Sequence, residues 1–161
     1  MYYEKKLYLC TKEVVFMLAK TYTAAVNGLN ATTITIEVNV TRGVMFHMSG
    51  LPDAAVKESY DRIKAATTNC GFKMGIGEIT VNLAPADIKK EGSGHDLPLA
   101  IGILAANDKV TSDALDKFMM VGELGLDGRL QPVRGALPIA IRARHARLIQ
   151  HQECASSPLP Q

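Results

Sequence analysis

Residues 79–106 read ITVNLAPADIKKEGSGHDLPLAIGILAA, and this stretch decides the fold. Its beginning alternates apolar and polar residues through position 83, which predicts a half-buried β-strand. A polar connection over 84–96 follows, and residues 97–106 are apolar nearly all round, which predicts a buried helix. Pro98 suits the first turn of that helix, and Asp96 just before it is the expected N-cap. The stretch therefore predicts a strand, a long loop and a core helix in succession.

Further strands and helices are predicted on both sides of this unit. The strictly alternating run TTITIEVNV at 32–40 predicts another half-buried strand, and the short apolar run at 44–48 is expected to pair with it tightly. Asp127-Gly128 is a strong hairpin signal between two apolar runs. The other predicted elements are a helix over 54–69 that stops at Gly71, strands over 119–124 and 128–133, and a last helix over 135–149. The order β-β-α-β-α-β-β-α predicts one α+β or α/β domain with helices packed on a single sheet.

Composition sets the class of protein within narrow limits. The chain has 161 residues, of which 47% are apolar and 21% charged, as in an ordinary globular domain. Its formal net charge of +2 is too small for a strongly basic nucleic-acid binder, although five arginines and one acid follow residue 128. No apolar run is long enough for a membrane span. Three widely spaced cysteines (Cys10, Cys70 and Cys154) argue against a disulfide framework or a zinc site, and predict a cytoplasmic location.

The loop before the core helix contains the candidate catalytic and anion-binding residues. Ser93, His95 and Asp96 stand almost side by side, but a catalytic triad needs partners from distant segments, so helix initiation is the simpler interpretation. A glycine-containing loop at a helix start could also attract an anion. The sequence contains no GxxxxGK[ST] nucleotide loop, so no ATP or other cofactor site is predicted in this chain.

Four strings of the sequence resemble a known family. They lie at 31–41, 50–67, 79–106 and 121–140, and the most specific is NLAPAD-x-x-KEG-x-x-x-DLP-x-A at 82–100. Together they resemble the N-terminal domain of the magnesium-chelatase-like AAA+ ATPases, and the resemblance covers about residues 17–144. It implies a ribosomal protein S5 domain 2-like fold, the fold of the Lon protease domain, with α+β architecture.

The resemblance also implies partners and domain limits. Relatives in the competence-associated branch carry an AAA+ module after this domain and form hexameric rings that act as helicases in branch migration during natural transformation. ATP and Mg2+ are therefore expected only with that module, which this sequence lacks, and the chain alone is expected to be a monomer or weak dimer. The predicted domain covers 17–149, preceded by an extension over 1–16 and followed by a tail over 150–161 that do not match the family.

The Lon comparison bears on catalysis. The Lon nucleophile serine corresponds here to Gly94, and the Lon lysine base corresponds to Leu137, so the chemistry is expected to be lost while the fold is kept. The alternatives are a divergent peptidase that uses Ser93 with His95 or a lysine as base, and a protein-interaction module without a DNA role. For an accessory domain that touches DNA, the candidate phosphate contacts are Lys89, Lys90, Ser93, His95, Arg129 and Arg134.

Overall fold

The computed structural model describes residues 17–73, 77–146 and 149–150. In these ranges a six-stranded mixed sheet has the order β3-β4-β2-β1-β5-β8, and a separate ribbon pairs β6 with β7. The strands are β1 Met17–Asn27, β2 Asn30–Thr41, β3 Phe46–Ser49, β4 Glu78–Ala84, β5 Phe118–Met119, β6 Glu123–Leu124, β7 Leu130–Gln131 and β8 Ile149–Gln150. The helices are α1 Ala54–Lys57, α2 Ser59–Asn69, α3 Asp96–Ala106 and α4 Ala136–His145. The predicted α+β class is confirmed.

The main core lies between the sheet and α3. Ile34, Ile36 and Val38 alternate along β2, and all three are fully buried against α2 and α3. A side chain at Gly102 of α3 would place its Cβ 3.0 Å from a methyl group of Val38, so glycine lets the helix approach the sheet closely. The two elements that the alternating and all-apolar patterns predicted therefore form one packed unit.

A smaller cluster forms on the opposite face of the sheet. Ala24 of β1 and Met119 of β5 pack there with Ile139 and Ala143, which are the buried residues of α4. Successive residues of a strand point to opposite faces, so β1 contacts α3 through one set of side chains and α4 through the other. Helices thus cover both faces at the β1 end of the sheet.

The strand β1 is an element that the sequence patterns did not predict. It pairs antiparallel with β2 along its whole length, from Met17↔Val40 to Asn27↔Asn30. Its inward positions include Thr21 and Thr23, which are fully buried because their hydroxyls bond to the backbone of Pro98 and to His95. Polar residues at inward positions hide the apolar alternation on which strand prediction depends.

The predicted tight pairing of residues 44–48 with the strand at 32–40 is wrong. The strand β3 instead pairs parallel with β4, while β4 pairs antiparallel with β2 through a register from Thr35↔Ala84 to Thr41↔Glu78. The long ladder of β4 occupies the edge of β2, so β3 is displaced to the outside of the sheet. The predicted helix over 54–69 is divided at Glu58 into α1 and α2. As predicted, α2 ends at Asn69, with Cys70 as its C-cap, and Gly71 follows with φ 84°.

The C-terminal part also departs from the predictions in detail. The expected hairpin is present as β6 and β7, with Gly128 at φ 83°, but β5 separates from β6 so that 119–124 is not one strand. The helix predicted over 135–149 ends at His145, and Ile149–Gln150 pairs parallel with β5. Ile149–Gln150, predicted as the end of the helix, thus forms the outermost strand of the sheet. The predicted extension over 1–16 and the tail after 150 lie outside the described residues.

Asp96 is not the N-cap of α3, as the sequence predicted, but its first residue. Its fully buried carboxylate accepts hydrogen bonds from Nε and Nη2 of Arg62, both at 2.9 Å, and from the backbone N–H of Leu124 at 3.2 Å. A bidentate guanidinium is a stronger partner than the helix terminus, so the carboxylate turns toward it. This ion pair ties α2, α3 and β6 together.

None of the helices in the described ranges is long and apolar enough to cross a membrane.

Candidate functional site

An open cleft of about 830 Å3 lies beside the loop that precedes α3. One wall is the end of β1 with the start of β2, and the other is the loop over 87–95 together with the segment that joins the hairpin to α4. Of the six predicted contact residues, the cleft brings together Lys89, Ser93, His95 and Arg134. The predicted loop is therefore the wall of a cleft, and four of the predicted residues line it.

Ser93 is engaged by an acidic partner. Its hydroxyl donates a short hydrogen bond to the carboxylate of Glu123, which lines the same cleft. The imidazole of His95 points elsewhere, with Nδ1 3.3 Å from the hydroxyl oxygen of Thr23. The Ser-His arrangement that a divergent peptidase would use is thus not formed between these two residues.

His95 lines the cleft and is only 4% exposed. Its pKa is lowered to about 4, mainly by burial; the Asp53 carboxylate opposes this shift and Lys90 adds to it. With that pKa the ring is neutral at pH 7, so His95 does not supply a positive charge for a phosphate. Its structural partner is Thr23 on β1, which fixes the loop to the sheet.

Lys90 is fully buried and does not reach the surface as a phosphate contact would. Its Nζ donates to the carbonyl of Pro85, and burial lowers its pKa. Its backbone N–H donates to Leu51 O at 3.2 Å, and its carbonyl accepts from the N–H of Asp53 at 3.0 Å. The prediction that Lys90 contacts phosphate is therefore wrong. Its side chain is enclosed and stabilises the loop through the hydrogen bond to Pro85.

The remaining predicted cations differ in position. Lys89 is exposed at the cleft, and its Nζ lies 2.6 Å from Oε1 of Glu91, whose carboxylate raises the lysine pKa. Arg134 is exposed at the other wall. Arg129 lies on the hairpin, 3.6 Å from the carboxylate of Asp127, and is not among the residues that line the cleft. The predicted basic set is thus dispersed, and among the described residues two exposed cations line the cleft.

The two positions that the sequence resemblance matched to the Lon dyad lie in different surroundings. Gly94 lines the cleft, and a Cβ added there would meet only a methyl group of Val133, at 3.7 Å. Leu137, at the first turn of α4, is 71% exposed and does not line the cleft. The position of the nucleophile has room for a side chain, but glycine occupies it.

Sequence reasoning missed two acidic residues that shape the site. Asp53 caps α1 by accepting from the N–H of Val56 at 2.8 Å, and its second oxygen accepts from the N–H of Gly92 at 3.1 Å. The carboxylate of Glu123 accepts a hydrogen bond from the Ser93 hydroxyl. The link of Asp53 to the loop is non-local and has no signal in the sequence. The described residues contain no group of three His, Cys, Asp or Glu side chains that could hold a metal ion.

The sequence of this α+β domain, with its cleft beside the loop over 87–95, matches a known protein family. Residues 36–151 match the family model described as subunit ChlI of Mg-chelatase, and the chain belongs to that family of magnesium-chelatase-like AAA+ proteins.

Two relatives show the extent of the similarity. The chain is 45% identical over 127 residues to YifB of Escherichia coli, a match that covers 78% of this chain and 25% of YifB. It is 45% identical over 131 residues to the competence protein ComM of Haemophilus influenzae, which covers 81% of this chain and 26% of ComM. The chain spans about a quarter of the length of these relatives.

Proposed function

We propose that this chain is a non-catalytic accessory domain of a ComM- and YifB-like AAA+ ATPase, and that the complete protein acts in the cytoplasm in branch migration and recombination of DNA. The chain belongs to this family, and its match covers about a quarter of each relative. Both facts support the role of one domain within a larger protein. Its first partner would be the AAA+ module, to which ATP and Mg2+ belong. The domain would assist assembly of the hexameric ring and its coupling to the motor.

One observation carries the non-catalytic part of the proposal. The cleft has glycine at the position of the Lon nucleophile, while the serine beside it donates to Glu123 and the residue at the base position, Leu137, points to solvent. A serine nucleophile needs a base within hydrogen-bond reach and a site for the oxyanion. The group that Ser93 contacts is a carboxylate, whereas the Ser–Lys mechanism implied by the Lon resemblance uses a lysine base.

A serine-directed acylating probe tests this part. We expect no labelling of the chain by a fluorophosphonate probe, and the same result for Ser93→Ala. Ser112→Ala is the matched control, since Ser112 is exposed, does not line the cleft and accepts a hydrogen bond from the N–H of Ala114. Labelling that disappears in Ser93→Ala but persists in Ser112→Ala would establish the divergent peptidase instead.

Direct contact with DNA is a second candidate, favoured by the presence of Lys89 and Arg134 in one cleft. Phosphate contacts give a steep dependence on salt, so titration against duplex and branched DNA at two salt concentrations measures it. We expect Arg134→Glu to weaken such binding, and Arg129→Glu, on the hairpin outside the cleft, is the matched control. Absence of binding at low salt would remove DNA contact and leave assembly, or interaction with another protein, as the role of the domain.

A further inference from the structure

The strand β1 has an unpaired edge beside the cleft. It pairs with β2 at every position, but with β5 only at Tyr22↔Met119. The residues that follow on β1, from Ala24 to Asn27, line the cleft and have no strand on that side in the described part of the chain. The sheet is therefore open where β1 forms the wall of the cleft.

The direction of the backbone groups at this edge follows from one hydrogen bond. The carbonyl of Tyr22 accepts from the N–H of Met120 at 2.8 Å, so the main-chain groups of Tyr22 point away from β2. In an antiparallel pair these directions alternate with period two. The N–H and C=O groups of Ala24 and Val26 therefore also point away from β2, toward the cleft. Such a row of donors and acceptors is a template for another strand.

Charge and shape select the class of ligand. The cleft is lined by three carboxylates (Asp87, Glu91 and Glu123) against two cations (Lys89 and Arg134), with His95 neutral at pH 7. Because the acids outnumber the bases, the cleft as a whole favours a polypeptide over a polyanion, and any contact with DNA would be restricted to Lys89 and Arg134. Apolar side chains also line it, among them those of Ile88 and Val121, as in grooves that receive alternate side chains of a bound strand.

We propose that this cleft binds an extended polypeptide segment, which adds as a strand to the edge of β1 and places an acidic side chain against Arg134. The exposed guanidinium makes no ion pair within the described residues, so it is free for such a group. The inference rests on the proposed non-catalytic role, because a catalytic cleft would cleave the segment that it bound. It gives the accessory domain a chemically defined partner: main chain in β-conformation with an acidic residue.

Labelled peptides can test the inference on the full 161-residue chain. The probes are fluorescein-labelled octapeptides of alternating valine and threonine with aspartate, asparagine or lysine at one end. We expect the aspartate peptide to bind about tenfold more tightly than the lysine peptide, and Arg134→Glu to reverse this order. N-methylation of alternate residues removes donors from one edge of the peptide. One of the two N-methylated sets should lose binding by about tenfold and the other should not.

A proline variant tests the edge from the side of the protein. Val26→Pro removes an N–H that points to the cleft and leaves the ladder to β2 intact, so we expect it to weaken peptide binding at least about fivefold. Leu18→Pro is the matched control, since Leu18 lies on the same edge of β1 but outside the cleft. If either proline variant fails to fold, the N-methylated peptides decide alone.

The possible failures are distinguishable. Equal binding of both N-methylated sets, no binding of any peptide, or displacement of the peptide by duplex DNA at equal concentration would overturn the strand-addition proposal and leave the accessory role standing. Cleavage of the bound peptide, followed by mass spectrometry, would overturn the proposed non-catalytic function itself.

Discussion

The buried imidazole of His95 should make the stability of the domain depend on pH. The side chain is 4% exposed and its pKa is lowered to about 4, mainly because burial disfavours the charged ring. In the unfolded chain an imidazole has a pKa of about 6.5. Between these two values the unfolded state binds more protons than the folded state, so the free energy of unfolding falls as the pH falls. Lys90, which lies near the ring, acts in the same direction, and Asp53 opposes it.

The size of the effect follows from the two pKa values. Relative to pH 7, this single group should cost about 2 kcal/mol of unfolding free energy at pH 5 and about 3 kcal/mol at pH 4. Below pH 4 the loss approaches a plateau, because the ring is then protonated in both states. A small domain is stabilised by roughly 5–15 kcal/mol, so a loss of this size is large enough to measure.

Urea unfolding at pH 7, 5 and 4 measures it, with wild type compared with His95→Gln. The glutamine cannot titrate but retains an amide that can bond to Thr23. Carboxylates contribute equally to both proteins, so the difference between the two curves isolates the imidazole. We expect the wild type to lose about 2 kcal/mol more than the variant between pH 7 and pH 5. His47→Gln, which removes an exposed imidazole, is the matched control. Parallel curves for wild type and His95→Gln would refute the assignment of a buried neutral ring.

Three further predictions concern stability and the glycine at the cleft. Arg62→Met leaves the buried carboxylate of Asp96 without its ionic partner and should cost about 3 kcal/mol in urea unfolding, whereas Arg62→Lys should cost less. Gly128→Ala forces a Cβ into a cysteine sulfur at φ 83° and should cost about 2 kcal/mol or more, whereas Gly28→Ala, at φ 60° with open space around it, should cost about 1 kcal/mol. Gly94→Ser should fold with a midpoint shift within about 2 °C, because the site has room, and should remain unlabelled by an acylating probe. A destabilisation of several kcal/mol, or labelling, would contradict the last prediction.

Local patterns predicted the elements that bury one regular face. The alternation of Ile34, Ile36 and Val38 and the all-apolar run of α3 were sufficient for the core, and Asp127-Gly128 was sufficient for the hairpin. The pairing of β3 was mispredicted because an alternating pattern defines the two faces of a strand and not its neighbours. The intervening strand β4 lies some thirty residues later in the chain, and its long ladder with β2 decides the order.

The candidate site was predictable in location but not in the state of its side chains. The loop over 87–95 does form the wall of a cleft. Two adjacent lysines in that loop look identical in the sequence, yet Lys89 is exposed and Lys90 is enclosed by the backbone of Pro85 and by contacts to residues 51–53. Lysine is almost never fully buried, so exposure was the correct expectation for both, and only the tertiary contacts of Lys90 overturn it.

Polar side chains hold the loop over 87–95 in one shape: those of Thr23, His95 and Lys90 are buried, and Asp53 is half-buried. Thr23 bonds to His95, Asp53 bonds to the N–H of Gly92, and Lys90 bonds inside the loop, so three separate polar side chains hold its shape. Burying polar groups is costly unless each finds a partner, and a loop used only as a connection could avoid that cost. Rigid walls are useful to a cleft that must receive a partner, because a preformed site loses less conformational entropy on binding. Within the described residues the edge of β1 beside this loop is unpaired, which is the arrangement that the proposed binding of an extended segment requires.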